Sequence, residues 1–76
     1  MFITRHGRKI LVEQIKCAYL SSGYIVYWFR SIKPLLQGNQ YIVAVHNPQG
    51  KTEHYITLIS AQTASSFYLN WLCFYA

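Results

Sequence analysis

The chain has 76 residues, of which 53% are hydrophobic and 12% charged, and its formal net charge is +5. This balance excludes an intrinsically disordered chain, which needs low hydrophobicity and high charge, and the length leaves room for one domain only. We therefore expect residues 1–76 to form a single compact domain. The excess of Lys and Arg fits either a negatively charged partner or a means of keeping an apolar protein in solution.

The first half of the chain predicts a short strand followed by a hairpin. Residues 2–4 look like a strand, and the basic turn after them contains Gly7, which tolerates a positive φ. Residues 10–20 alternate in a way that suits a strand, although a short helix over 12–19 is the competing interpretation. After a Ser-Ser-Gly turn signal, residues 24–30 are apolar on both faces, as expected of a central strand.

The second half predicts a loop, a second hairpin and a helix. Residues 31–39 should form the loop, with Leu35 and Leu36 tucked beneath it. Residues 41–47 and 51–59 flank an Asn-Pro-Gln-Gly sequence that matches the preferences of a type I turn. A hairpin with a glycine bulge follows from this turn.

A C-terminal helix is expected over Ala61 to Tyr75, capped by the hydroxyl of Ser60. Leu69 and Phe74 are expected to project outward from it. The fold class predicted is α+β, an antiparallel sheet of about four strands in two hairpins with this helix packed across it. The residues expected on the inner face of the helix are Ala61, Ala64, Phe67, Tyr68, Trp71, Leu72 and Tyr75.

Aromatic side chains are more numerous than so small a core can enclose. The chain carries seven Tyr, four Phe and two Trp. Exposed Tyr and Trp are favoured at binding interfaces, as is Arg, and cations beside aromatic rings also suit nucleic acid. The residues predicted to contact a partner are Arg5, Arg8, Lys9, Tyr27, Trp28 and Arg30.

The groups that catalysis requires are scarce. The only carboxylates, Glu13 and Glu53, fall in separate hairpins, and no sequence signal brings them together. Cys17 and Cys73 are far apart and show no spacing typical of a zinc site. We expect no enzymatic activity and no cofactor, and we expect both thiols to be reduced and mostly buried.

His46 and His54 both lie in the second predicted hairpin. If the turn pairs Asn47 with Lys51, both imidazoles fall on one face of the hairpin. Two imidazoles still need a third ligand to hold a metal ion. The sequence therefore favours two ordinary strand histidines, and we expect no metal site.

In size and order of elements, the chain is similar to small phage- or mobile-element-encoded inhibitors, including some anti-CRISPR proteins. The resemblance lies in the layout and involves no specific residue. It implies an inhibitor that docks on a larger protein or ribonucleoprotein complex in the cytoplasm of a host cell. Direct nucleic-acid binding is the alternative, and a homodimer could form through the C-terminal helix or an edge strand.

The apolar stretches are shorter than the ~20 residues of a membrane span, so we expect a cytoplasmic protein with no membrane partner.

Overall fold

Five antiparallel strands and one helix make up the structure, a computed structural model that describes residues 1–76. The strands lie in the sheet in chain order, with the third at the centre. The predicted α+β class is confirmed, but the sheet has five strands and not about four, because the N-terminal strand adds an edge. The elements are β1 (Phe2–Arg5), β2 (Arg8–Tyr19), β3 (Ile25–Ser31), β4 (Tyr41–His46), β5 (Thr52–Leu58) and α1 (Ala61–Tyr75).

The first hairpin joins β1 to β2 through a two-residue turn. His6 and Gly7 both have positive φ, 51° and 77°, which is the backbone that a tight hairpin with right-handed twist requires. The turn sets Arg5 directly opposite Arg8. The segment that was ambiguous in the sequence is a strand, because β2 pairs with β1 on one side and β3 on the other.

The second hairpin joins β4 to β5 through the predicted turn. The backbone N–H of Gly50 donates to the Asn47 carbonyl at 2.9 Å, and the Asn47 N–H donates to the Lys51 carbonyl at 2.8 Å. The Asn47 side-chain oxygen accepts from the N–H groups of Gln49 and Lys51. The Asn47 side chain therefore stabilises the turn from its first residue.

A β-bulge in this hairpin separates the two histidines. His46 lies opposite Thr52, but Val45 lies opposite His54, so Glu53 is an extra residue on β5. One extra residue moves every later side chain to the other face of a strand. The expectation that both imidazoles share a face is therefore wrong.

The helix α1 covers one face of the sheet and packs on β3, β4 and β5. Its first turn is capped as predicted, since the Thr63 N–H donates to the Ser60 hydroxyl oxygen at 3.2 Å. Leu69 and Phe74 point outward as expected, whereas Ala61 is exposed and not on the inner face. The buried core between helix and sheet consists of Val26, Trp28, Val43, Val45, Leu58, Ala64 and Tyr68.

A second, smaller core lies on the opposite face of the sheet. Val12, Phe29 and Ile42 are buried there. The strand β3 is apolar without interruption because both of its faces are buried. This is the pattern predicted for a central strand. The only α-helix lacks the length and apolar character that crossing a bilayer requires.

Two smaller expectations about burial are wrong. In the loop before β4, Leu35 is half-buried, but Leu36 is 83% exposed at the start of a 3₁₀ turn over Leu36–Gly38. The cysteines are both free, but Cys17 is only half-buried and Cys73 is exposed on α1. Cys73 is exposed because it lies on the outer side of α1.

Candidate functional site

The face of the sheet away from α1 is curled into a groove. Although β1 and β5 are the two outer strands, Arg5 of β1 meets Tyr55 of β5. The guanidinium carbon of Arg5 lies 4.3 Å from the centre of the Tyr55 ring, a cation–π distance. This contact draws the two edges of the sheet together over the groove.

One part of the groove is a cavity lined by aromatic rings, which we call the ring-lined cavity. Its volume is about 280 Å³. Tyr27 lies centrally, with its ring 5.0 Å from that of His46 and 5.4 Å from that of Phe29. Burial raises the pKa of Tyr27, with smaller contributions from Cys17 and Tyr19. The residues around the ring-lined cavity are Met1, Ile3, Thr4, Arg5, Tyr27, Phe29, Ala44, His46, Thr52 and Tyr55.

The adjoining part, which we call the basic cavity, has a volume of about 420 Å³. Its cations come from the first hairpin, and its apolar wall comes from β2 and the loop before β4. No carboxylate borders it. The residues around the basic cavity are Arg5, His6, Arg8, Lys9, Ile10, Pro34, Leu35, Leu36, Tyr55 and Thr57.

Arg5 and Tyr55 border both cavities and touch each other, so they form the boundary between them. Burial raises the pKa of Tyr55, and the neighbouring charge of Arg5 opposes that rise.

Four of the six residues predicted to contact a partner come together in this groove. Arg5, Arg8 and Lys9 border the basic cavity, and Tyr27 borders the ring-lined one.

The other two do not join the groove. Trp28 is 8% exposed and packs against Tyr68 of α1, with ring centres 5.8 Å apart. It cannot meet a partner, because side chains alternate along β3 and its position faces the helix. Arg30 lies on that same face and is paired with Glu13 at 3.0 Å.

Both carboxylates of the protein lie away from the groove. Glu13 is held by Arg30, and Glu53 accepts hydrogen bonds from the hydroxyls of Tyr24 and Tyr75. The Glu53 charge adds to burial in raising the pKa of both tyrosines. The acidic groups thus neutralise other parts of the protein and leave the groove cations uncompensated.

No protein-family model, curated protein or solved structure matches the chain.

Tyr55 is the groove residue that sequence reasoning missed. Without a bulge, the register sets His54 opposite Ala44, whereas the structure sets Tyr55 there. The bulge that brings the Tyr55 ring into the groove is at Glu53, beyond the turn. The Asn-Pro-Gln-Gly sequence predicts only the glycine bulge of the turn itself, so no sequence signal indicated this position for Tyr55.

Metal-ligating residues do not cluster anywhere in the protein. No group of three or more His, Cys, Asp or Glu side chains could hold a metal ion. His54 instead stacks on Trp71, with ring centres 4.9 Å apart, and shares a 2.6 Å hydrogen bond with the Tyr75 hydroxyl. Through these two contacts, this histidine packs β5 against the last turns of α1.

Proposed function

We propose that the chain is a non-enzymatic binding module that docks on a larger protein or ribonucleoprotein complex through the groove. One observation carries the proposal. Arg5, Arg8 and Lys9 gather at one end of a groove that no carboxylate borders. Uncompensated cations in a concave site attract negatively charged partners and speed encounter.

The contents of the two cavities support binding over catalysis. Each cavity is bordered by one histidine, His46 in the ring-lined cavity and His6 in the basic cavity, but by no carboxylate or thiol. A catalytic histidine usually works beside a nucleophile and a group that orients its ring, and neither cavity supplies a thiol or a carboxylate for these roles. Glu13 and Glu53 are already engaged in contacts elsewhere.

The distribution of rings supports the same proposal. Of the thirteen aromatic residues, Trp28, Phe29 and Tyr68 are buried, while Phe2, Tyr19 and Phe74 are exposed. The other seven are half-buried. Ten of the thirteen aromatic side chains are therefore at least partly exposed to solvent.

The test is capture of partners from the source cell by two charge-matched variants. In the first variant Arg5, Arg8 and Lys9 are changed to Gln, and in the second Lys16, Lys33 and Lys51 are changed to Gln. The second set lies outside both cavities. We expect the groove variant to lose the captured complex and the control variant to keep it; equal capture by both would contradict the proposal.

A nuclease treatment of the same lysate separates two partner classes. A complex that survives the treatment is docked through protein, and one that is lost is held through nucleic acid.

Self-association stays a separate prediction, for which the exposed Leu69 and Phe74 on the outer face of α1 are the apolar contacts.

A further inference from the structure

We propose that the two adjoining cavities form a site for one nucleotide of a single-stranded nucleic acid. The phosphate would lie between Arg5 and Arg8 in the basic cavity, and the base would lie against Tyr27 and Tyr55 in the ring-lined cavity. This inference rests on the proposed function and names the chemistry that the groove recognises.

A like-charge pair lies at the tip of the first hairpin. Arg5 and Arg8 are directly opposite partners across β1 and β2, and like charges in that position repel. No carboxylate borders the cavity that they share. A bound anion would remove the repulsion, so the pair indicates an anionic ligand.

Both cations of this pair are arginines. Guanidinium groups present a planar fork that binds the oxygens of a phosphate in pairs. The face of the Arg5 guanidinium rests on the Tyr55 ring. This contact orients the group and leaves its N–H edge free to donate to a ligand.

The ring-lined cavity lies directly beside these cations. An acidic peptide would use the cations but would have no need of a ring-lined cavity beside them. A nucleotide carries a phosphate and a flat base a short distance apart, and the Arg5–Tyr55 boundary sets the two cavities side by side. Bases stack on aromatic side chains in single-strand-binding proteins.

The shape of the ring-lined cavity favours a single strand. The ring-lined cavity is concave, and its rings form its walls. Bases in a duplex are stacked and paired inside the helix, so only an unpaired base can enter. The groove therefore discriminates against double strands by shape.

The experiment measures fluorescence anisotropy of a labelled oligodeoxythymidine of about 12 nucleotides, within the site sizes of single-strand-binding folds. A duplex of equal length, free thymidine monophosphate and a polyglutamate peptide are the competitors. Three groove cations predict a log–log salt slope of about −2.1 for a single strand, reduced in magnitude by about 0.7 in Arg8→Gln. The charge-matched Lys51→Gln should keep the full slope, since Lys51 lies outside both cavities.

The base half of the site is tested with Tyr55→Leu. We expect affinity to fall about tenfold or more, as for loss of a stacked ring. Tyr19→Leu is the control, because Tyr19 is 77% exposed and lies outside both cavities. Circular dichroism shows whether each variant is folded. If Tyr55→Leu does not fold, Arg8→Gln still tests the site, because Arg8 is exposed.

Each other result overturns a stated part of the proposal. Equal affinity for duplex and single strand, with Tyr55→Leu neutral, would eliminate the base cavity. Equal competition by thymidine monophosphate would eliminate the strand as the source of the nucleotide. Binding of polyglutamate alone, lost in Arg8→Gln, would overturn the nucleotide inference and leave the proposed function standing. Absence of any anion binding at low salt, together with equal capture by the two lysate variants, would remove both.

Discussion

Arg5 and Arg8 face each other across the first hairpin, where two opposite charges would have stabilised the turn. The protein has two carboxylates and places neither of them at this hairpin. A like-charge pair that borders a cavity is typical of a binding site, where local rules are broken in favour of a ligand. The charge of Arg8 should therefore lower the stability of the fold while raising the affinity for an anionic ligand.

The variant Arg8→Gln tests this opposition. Removing one charge of the pair should raise the free energy of unfolding by roughly 0.2–1 kcal/mol, because the repulsion disappears. Urea denaturation at low ionic strength measures the change, and Lys51→Gln, with the same change in charge, should leave the stability unaltered. A less stable Arg8→Gln protein would show that Arg8 supports the fold.

The sequence predicts some groove residues well and others poorly, for a physical reason. Arg5, Arg8 and Lys9 could be identified because they flank a recognisable turn. Trp28 and Tyr27 are neighbours in a strand that is apolar on both faces, so alternation alone does not tell which of them the helix covers. Only the packing of α1 on the Trp28 side decides it.

At the scale of elements, the helix boundary follows directly from local chemistry. Ser60 adopts an extended backbone and its hydroxyl oxygen accepts from the N–H of Thr63, so the first turn begins with a satisfied donor. Such a cap is a short-range signal, which is why the start of α1 could be predicted from the sequence. The register of β5 could not, because it depends on whether one residue is counted as a bulge.

Replacing the cap with Ser60→Ala should lower the free energy of unfolding by about 1 kcal/mol, since the orphan N–H loses its partner. Ser66→Ala is the matched control in the same helix. The Ser66 hydroxyl donates to the Gln62 carbonyl at an exposed position, where alanine is at least as favourable. Thermal and urea unfolding of both variants measure the difference, and equal losses would argue against a capping role.

At the scale of the whole molecule, the sheet is apolar on both faces and only one of them has a helix. The curl toward Tyr55 covers part of the second face and leaves the groove open. Composition indicated that rings would remain accessible, but the location of the groove depends on contacts between β1 and β5, which are far apart in the chain. Pairing of distant edges has no local signal in the sequence.

Ionisation of tyrosines should lower the stability of the fold at alkaline pH. Burial raises the pKa of Tyr24, Tyr27, Tyr55, Tyr68 and Tyr75 above the ordinary value of 10.0. The folded state retains phenolic protons that the unfolded chain loses first, so this stability is present below about pH 10 and is lost as pH rises through the higher native values. Urea titrations at about pH 9 and about pH 11 should show a lower free energy of unfolding at the higher pH. Tyr68→Phe should reduce the difference, and unchanged stability between the two conditions would refute the assignment.

The position of α1 after all five strands has a consequence for folding in the cell. Each strand pairs with the next one along the chain, so the strand pairings do not depend on the helix. Until α1 docks on the sheet, Val26, Val43 and Val45, fully buried in the finished protein, face water. Exposed apolar strands of this kind aggregate or recruit chaperones, so the chain is most vulnerable between the pairing of its strands and the docking of α1.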